Sequence, residues 1–263
     1  MVESTDQTQD AFAFWNSRAK LGQEAGTRDL ILKQLEINAI SNYVCDGMRI
    51  LDAGCGNGMT AIHIASLYDV HVVGFDFADG MIKAATVNAA NSKLKGSVDF
   101  RVGDIRNIPA TRYGKFDLVY TERALINLPD WPAQKNSILD LTNLLASNGI
   151  YVMCENSQDG LDKVNIFRKR LGLDIIDPPW HNRYFKDFEI DELTIPEVGL
   201  EKIEYFTSTY YLLSRVVNAC LADQEGIEPV YDSPVNQLAL QLPPVGTLGQ
   251  TRIWLWRKIE TIK

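Results

Sequence analysis

The chain has 263 residues, 46% of them hydrophobic and 23% charged, with 26 Lys and Arg against 34 Asp and Glu and a formal net charge of -8. That length suits one α/β domain with added segments and is short for two independent domains. The acidic balance repels phosphate backbones, so nucleic acid is not an expected partner, and no run approaches the roughly 20 apolar residues that span a bilayer, so neither is a membrane.

Residues 1–10 are polar and acidic, with neither a signal core nor an Arg-rich transit pattern, and a cytoplasmic location is expected. The widely separated Cys45, Cys55, Cys154 and Cys220 form no C-x-x-C pair and have no metal-ligand spacing; they read as reduced thiols, and no metal site is expected. Leu32, Leu35, Ala39 and Tyr43 share one helical face ahead of Asp46-Gly47. From Arg49 onward, short apolar runs at 49–53, 70–75, 98–102, 116–121 and 150–154 read as buried parallel strands. Between them, 57–67, 78–91 and 132–146 read as helices, so strand and helix alternate. A helix is expected over 159–171, where Arg168-Lys169-Arg170 precedes Gly172; cations suit a helix C-terminus, which accounts for the one dense basic run. A loop follows over 174–187, then a strand at 201–209, a helix at 211–222 and a strand at 251–257.

Leu51-Asp52-Ala53-Gly54-Cys55-Gly56-Asn57-Gly58 falls where the first strand turns into a helix, and glycine there lets a ligand approach the backbone. A dinucleotide fingerprint would put a small residue at position 59; Met59 stands there instead. Asp76 ends the second strand about 20 residues after the loop, a spacing that suits a carboxylate accepting ribose hydroxyls. Asp104 follows the third strand.

With Asp52, Gly54, Gly56 and Gly58 in the pattern acid-x-Gly-x-Gly-x-Gly, and with Asp76 and Asp104 in register, the stretch 48–155 resembles the class I S-adenosylmethionine-dependent methyltransferases. The resemblance implies an α/β, doubly wound, mostly parallel seven-strand Rossmann-like sheet. Residues 1–47 would form an N-terminal helical lid, and residues 48–263 the methyltransferase domain, with acceptor-side segments at about 160–190 and 210–249. It implies S-adenosylmethionine as cofactor, held by Asp52, Gly54, Cys55, Gly56, Asp76, Phe77, Met81, Asp104, Ile105 and Thr121; Asp76 would take the ribose, Phe77 would lie near the adenine, and Asp104 would bond the adenine amino group.

Ligands of open α/β sheets sit beyond the carboxyl ends of the strands, so Thr121-Glu122-Arg123 and Glu155-Asn156 should face the methyl group. Base- and protein-amide methyltransferases of this class place Asn or Asp before Pro-Pro-Tyr there; Thr121-Glu122-Arg123-Ala124 departs from that and favours a small-molecule acceptor. The candidate catalytic residues are His181, Glu122, Glu155 and Tyr184, since a hydroxyl acceptor must lose its proton and an amine must be neutral. Glu122 reads equally as one half of an ion pair with Arg123 or another cation. Arg123, Asn127, Trp180, Asn182 and Arg183 are candidate acceptor contacts, and Pro178 to Phe185 could wall a small polar pocket or pack as a rigid loop. That loop and Trp254-Leu255-Trp256 also give a similarity to bacterial methyltransferases of sugars and surface polysaccharides. A nicotinamide oxidoreductase, a non-catalytic S-adenosylmethionine-binding protein and a metal-assisted O-methyltransferase using Glu122, Glu155 and Asn156 are the alternatives, and the oligomeric state is open.

Overall fold

The computed structural model describes residues 3–108 and 114–259, so the first two residues of the N-terminal segment and the last four of the chain lie outside the described residues. Helices α1 (Glu3–Arg18) and α2 (Leu30–Ser41) precede an alternating run: β1 (Arg49–Ala53), α3 (Met59–Leu67), β2 (His71–Asp76), α4 (Asp79–Ala90), β3 (Ser97–Val102) and β4 (Phe116–Glu122). Then come α5 (Trp131–Thr142), β5 (Leu145–Asn156), α6 (Gln158–Arg170), α7 (Asp187–Asp191) and β6 (Val198–Glu204). A helical stretch begins as α8 (Ser208–Tyr211), widens into a π-helical turn at Leu212–Val217 and continues as α9 (Asn218–Glu225); β7 (Thr251–Lys258) closes the sheet.

The seven strands lie in the order β3-β2-β1-β4-β5-β7-β6. All neighbours are parallel except those of β7, which runs antiparallel to β5 and β6. Strand order reverses between β1 and β4, which opens a crevice at their carboxyl ends. Each face of the sheet buries its own apolar layer. Ile40 of α2 and Ala61 and Ile64 of α3 pack on Ile50, Val72 and Leu118, while Ile138 and Leu141 of α5 pack on Leu51, Val73 and Val119.

Two differences from the sequence reading have a structural cause. The helix expected to reach Ala146 stops at Thr142, because Leu145 is drawn into register with Phe116 and the chain then turns through Asn148 at φ 60°. The strand expected at 201–209 lies at Val198–Glu204, since Thr207 Oγ1 donates to the Thr251 carbonyl at 2.5 Å and starts the next helix.

Helix α1 docks on the start of α4. The Gly80 N–H donates to Asn16 Oδ1 at 2.8 Å, and the Phe12 and Phe77 rings lie 6.0 Å apart. No helix among the described residues is long and apolar enough to cross a membrane.

Candidate active site

The β1–α3 turn carries three glycines at positive φ, put to two different uses. A Cβ on Gly54 (φ +85°) would meet Ala124 Cβ at 2.5 Å, and one on Gly58 (φ +79°) would meet Phe100 at 2.7 Å, so both serve packing. Gly56 (φ +52°) has nothing within 4 Å of that position and leaves its backbone open to a large cavity.

That cavity, of about 1110 Å³, lies over the switch point. It exceeds the roughly 300–1,000 Å³ of a single-ligand cleft and leaves room for a second molecule. On one side it is walled by Asp52, Gly54, Cys55, Gly56, Asp76, Phe77, Met81, Asp104 and Ile105. Asp76 Oδ2 accepts the Gly56 N–H at 3.0 Å and Oδ1 accepts the Ala78 N–H at 2.9 Å; burial pushes its pKa up to about 6. Asp52 is buried, which raises its pKa to about 7, and its Oδ2 has no hydrogen-bond partner among the described residues. Burial also pushes the Cys55 thiol up, so it stays protonated near neutral pH. Asp104 is bound by Arg106, whose Nε lies 3.0 Å from both carboxylate oxygens.

An orphaned carboxylate oxygen beside the glycine turn, open backbone at Gly56 and a fixed carboxylate one strand away fit the cationic methionyl end and the ribose of S-adenosylmethionine. Thr121 is a correction to the cofactor set. It lies behind the wall, with its hydroxyl 3.0 Å from the Tyr151 hydroxyl inside the sheet.

The other side of the cavity is walled by Glu122, Arg123, Asn127, Asn156, the 179–184 loop and Gln250, and by residues of α2 and the α8–α9 stretch. Glu122 is paired with Lys33 at 2.6 Å and accepts from Thr60 Oγ1 at 2.5 Å; among its opposing influences these partners prevail over burial and lower its pKa. Its ion-pair partner is thus a half-buried lysine of α2, with Arg123, the partner the sequence reading named beside a surface cation, acting on it as a second positive charge. Arg123, at φ 52°, instead has its Nε 2.9 Å from Oε1 of the buried Glu36.

Glu155, expected at the acceptor face, lies behind the cavity wall. Its carboxylate accepts the N–H groups of Ala124, Leu125 and Ile126 at 3.0, 2.9 and 3.3 Å, and burial raises its pKa to about 7. The oxygens suggested for a metal are therefore engaged by other groups. Among the described residues no cluster of His, Cys, Asp and Glu could hold a metal ion.

The 178–185 loop does come to the cavity. His181 packs within 4.6 Å of the Phe14 ring and 5.6 Å of the Trp15 ring, both from α1, and 5.2 Å from Trp180. Burial, and then the Arg18 charge, hold its pKa below the usual 6.5. Asn182 donates to Asn127 Oδ1 at 3.1 Å, and Gln250 Nε2 donates to the buried Tyr184 hydroxyl at 3.2 Å. Arg183 also reaches the cavity, but its guanidinium is taken up by Gln134 and Glu189.

Sequence reasoning missed Asp29, Lys33, Tyr211 and Arg215, all on this wall. The usable signal was polar residues inside apolar helices, with Lys33 and Glu36 in α2 and Arg215 between two tyrosines and two valines.

A methyltransferase-domain family matches residues 45–170. Over these residues, just under half of its length, the chain is similar to the domain of class I S-adenosylmethionine-dependent methyltransferases, and the glycine turn, Asp76 and the seven-strand topology fit S-adenosylmethionine as cofactor. The chain is 28% identical over 143 residues to phosphoethanolamine N-methyltransferase 1 of Arabidopsis thaliana, covering 54% of this chain and 28% of that protein. It is 30% identical over 119 residues to 27-O-demethylrifamycin SV methyltransferase of Amycolatopsis mediterranei, covering 44% and 41%. The chain therefore matches well under half the length of these relatives. In fold it is similar to magnesium protoporphyrin IX methyltransferase from Synechocystis PCC 6803, with a TM-score of 0.59 at 14% identity, covering 98% of this chain and 100% of that one.

Proposed function

We propose that this protein transfers the methyl group of S-adenosylmethionine to an oxygen or nitrogen atom of a small polar metabolite. What carries the reading is one cavity that joins the Gly56–Asp76 cofactor wall to the polar and aromatic wall of residues 180–184. Two of the relatives are named for small acceptors, one modified on nitrogen and one on oxygen, and both atom types stay open here. The bound cofactor supplies a methyl group already activated by its sulfonium, so the chain's main tasks are to orient the acceptor and exclude water.

For a hydroxyl acceptor a group must also take the proton. A neutral His181 suits that task, since its lowered pKa leaves the imidazole uncharged near pH 7. Glu122, kept ionised by Lys33, fixes charge and position at the tip of β4. Tyr184 lends a hydroxyl for orientation. A sugar or sugar nucleotide is one such acceptor, supported by the 178–185 loop alone, because Trp254 and Trp256 are buried in the sheet. Four free cysteines fit a cytoplasmic setting.

Calorimetric titration with S-adenosylmethionine, its demethylated product and NAD, followed by transfer of labelled methyl to a metabolite panel, tests the proposal. Binding of the first two ligands with turnover on a small metabolite supports it. Tight NAD binding in their place would sink it, and binding without transfer to any acceptor would favour a non-catalytic role.

A further inference from the structure

Six cationic side chains reach the cavity wall: Arg18, Lys33, Arg106, Arg123, Arg183 and Arg215. Four of them are committed elsewhere. Arg18 donates to the Ala25 and Glu24 carbonyls at 2.5 and 2.6 Å, and Lys33 to Thr60 and Glu122. Arg106 is bound to Asp104, and Arg183 to Gln134 and Glu189.

Arg123 and Arg215 differ. A guanidinium has five N–H donors. Arg215 gives Nη2 to Asp29 at 2.6 Å, and its Nε and Nη1 make no hydrogen bond to a described residue. Asp29 is itself divided, because its Oδ1 also accepts the Leu32 N–H at 3.0 Å and the Tyr210 hydroxyl at 2.5 Å. Arg123 has its Nε at Glu36 and Glu122 as a second carboxylate nearby, yet neither of its terminal nitrogens makes a hydrogen bond to a described residue.

Both guanidiniums line the same cavity as Tyr184. Both also lower the pKa of the buried Tyr184 hydroxyl against the effect of burial. Arg215 also lies 5.4 Å from the Tyr211 ring and 4.9 Å from the Tyr231 ring, contacts that fix its plane. Its segment is a π-helical turn, and Arg123 holds a positive φ unusual for its residue type; both features concentrate where a side chain must be aimed.

We infer that the acceptor carries an anionic group, a carboxylate or a phosphate, bound jointly by Arg123 and Arg215 beside Tyr184. This rests on the cavity being the methyl-transfer site and names the class of molecule that enters it. Two arginines with donors to spare match the oxygens of such a group, and hydrogen bonds to a charged group are stronger than those to a neutral polyol.

The test uses the full chain saturated with the demethylated cofactor and compares, by calorimetry, glycerol, glycerate and glycerol 3-phosphate. Wild type should bind at least one anion about tenfold or more tighter than glycerol, and the tighter of the two tells carboxylate from phosphate. Arg123→Gln and Arg215→Gln should each remove most of that preference while leaving demethylated-cofactor affinity within about twofold. Arg215→Lys, which keeps the charge, should retain part of it, and that retention separates anion binding from a loss of fold. If wild type binds the demethylated cofactor yet shows no preference for either anion, or if the preference survives both glutamine variants, the clamp is wrong. Failure of wild type to bind that cofactor would instead overturn the site itself, and the clamp with it.

Discussion

The carboxylate of Asp76 accepts the backbone N–H of Gly56 at 3.0 Å across 20 residues of sequence. The acid that ends β2 and the turn that ends β1 are thereby one unit, and the carboxylate keeps lone pairs for further donors, ribose hydroxyls in the proposed cofactor site. Its pKa, raised to about 6 by burial, gives the unit a pH dependence.

Asp76→Ala should weaken S-adenosylmethionine binding by about tenfold to a hundredfold, since hydrogen bonds to a charged group contribute roughly 1.5–3 kcal/mol. The ionised carboxylate is the better acceptor, so wild-type affinity should fall as pH drops through about 6, and Asp76→Asn should flatten that limb. Linkage to folding has the opposite sign. A carboxyl whose folded pKa is raised contributes stability in full below its unfolded value of 3.8, and that contribution is lost as pH rises through about 6. Titration calorimetry across pH 5–7 (roughly one unit either side of the transition) checks this; an affinity unchanged in Asp76→Ala would contradict the ribose assignment.

Gly56 and Gly58 should separate binding from stability. At Gly56 a side chain meets nothing within 4 Å, so Gly56→Val fills the cofactor's space and adds backbone strain of about 1–3 kcal/mol at φ +52°. Cofactor affinity should drop at least about tenfold. Gly58→Ala drives a methyl to 2.7 Å from Phe100 and should chiefly lower Tm. Thermal melts and calorimetry of the two variants compare the effects; equal cofactor affinity in Gly56→Val and wild type would mean the turn had been misread.

The parallel core was legible because buried strands are continuous apolar runs and because Gly54, Gly56 and Asp76 sit at a spacing that geometry dictates. The acceptor wall was not. Lys33 and Glu122 lie 89 residues apart, and Asp29 and Arg215 are separated by 186, so nothing local announces either pair. Glu155 looked catalytic because acids at strand ends often are; that its oxygens face the N–H groups of residues 124–126 follows from how the chain turns after β4, which has no local signature. Leu145 read as helical because its spacing from Ile138 and Leu141 fits a helix, while its pairing with Phe116 is a tertiary choice.

The Lys33–Glu122 pair should behave as a structural clasp between α2 and β4. Removing one partner of a fully buried pair costs about 3–5 kcal/mol, and this half-buried pair on a cavity wall should cost less than that. Lys33→Met should therefore lower Tm strongly, and Glu122→Gln should follow it to a smaller extent because the amide still accepts a hydrogen bond. The double variant should recover part of the loss. In Glu122→Gln, turnover measured on the folded fraction should stay within about tenfold of wild type, well short of the 10²–10⁴-fold expected on deleting a general base. A larger loss with an unchanged Tm would move Glu122 back among the proton-transfer candidates.

His181 should carry the proton if the acceptor is a hydroxyl. It works when neutral, so the wild-type rate should fall as pH drops through its pKa; burial and the Arg18 charge place that limb below the ordinary 6.5. His181→Ala should lower kcat by about 10²–10⁴-fold and abolish the limb, while cofactor affinity changes much less than kcat, since His181 makes ring contacts with Phe14, Trp15 and Trp180 and none with Asp76 is seen among the described residues. Arg18→Gln removes a repelling charge and should shift the limb toward higher pH. A residue that only orients the acceptor would raise KM and leave the limb in place. Should His181→Ala keep the wild-type pH profile with the true acceptor, proton transfer does not run through this ring, and Tyr184, 7% exposed on the same wall, is the next hydroxyl to remove.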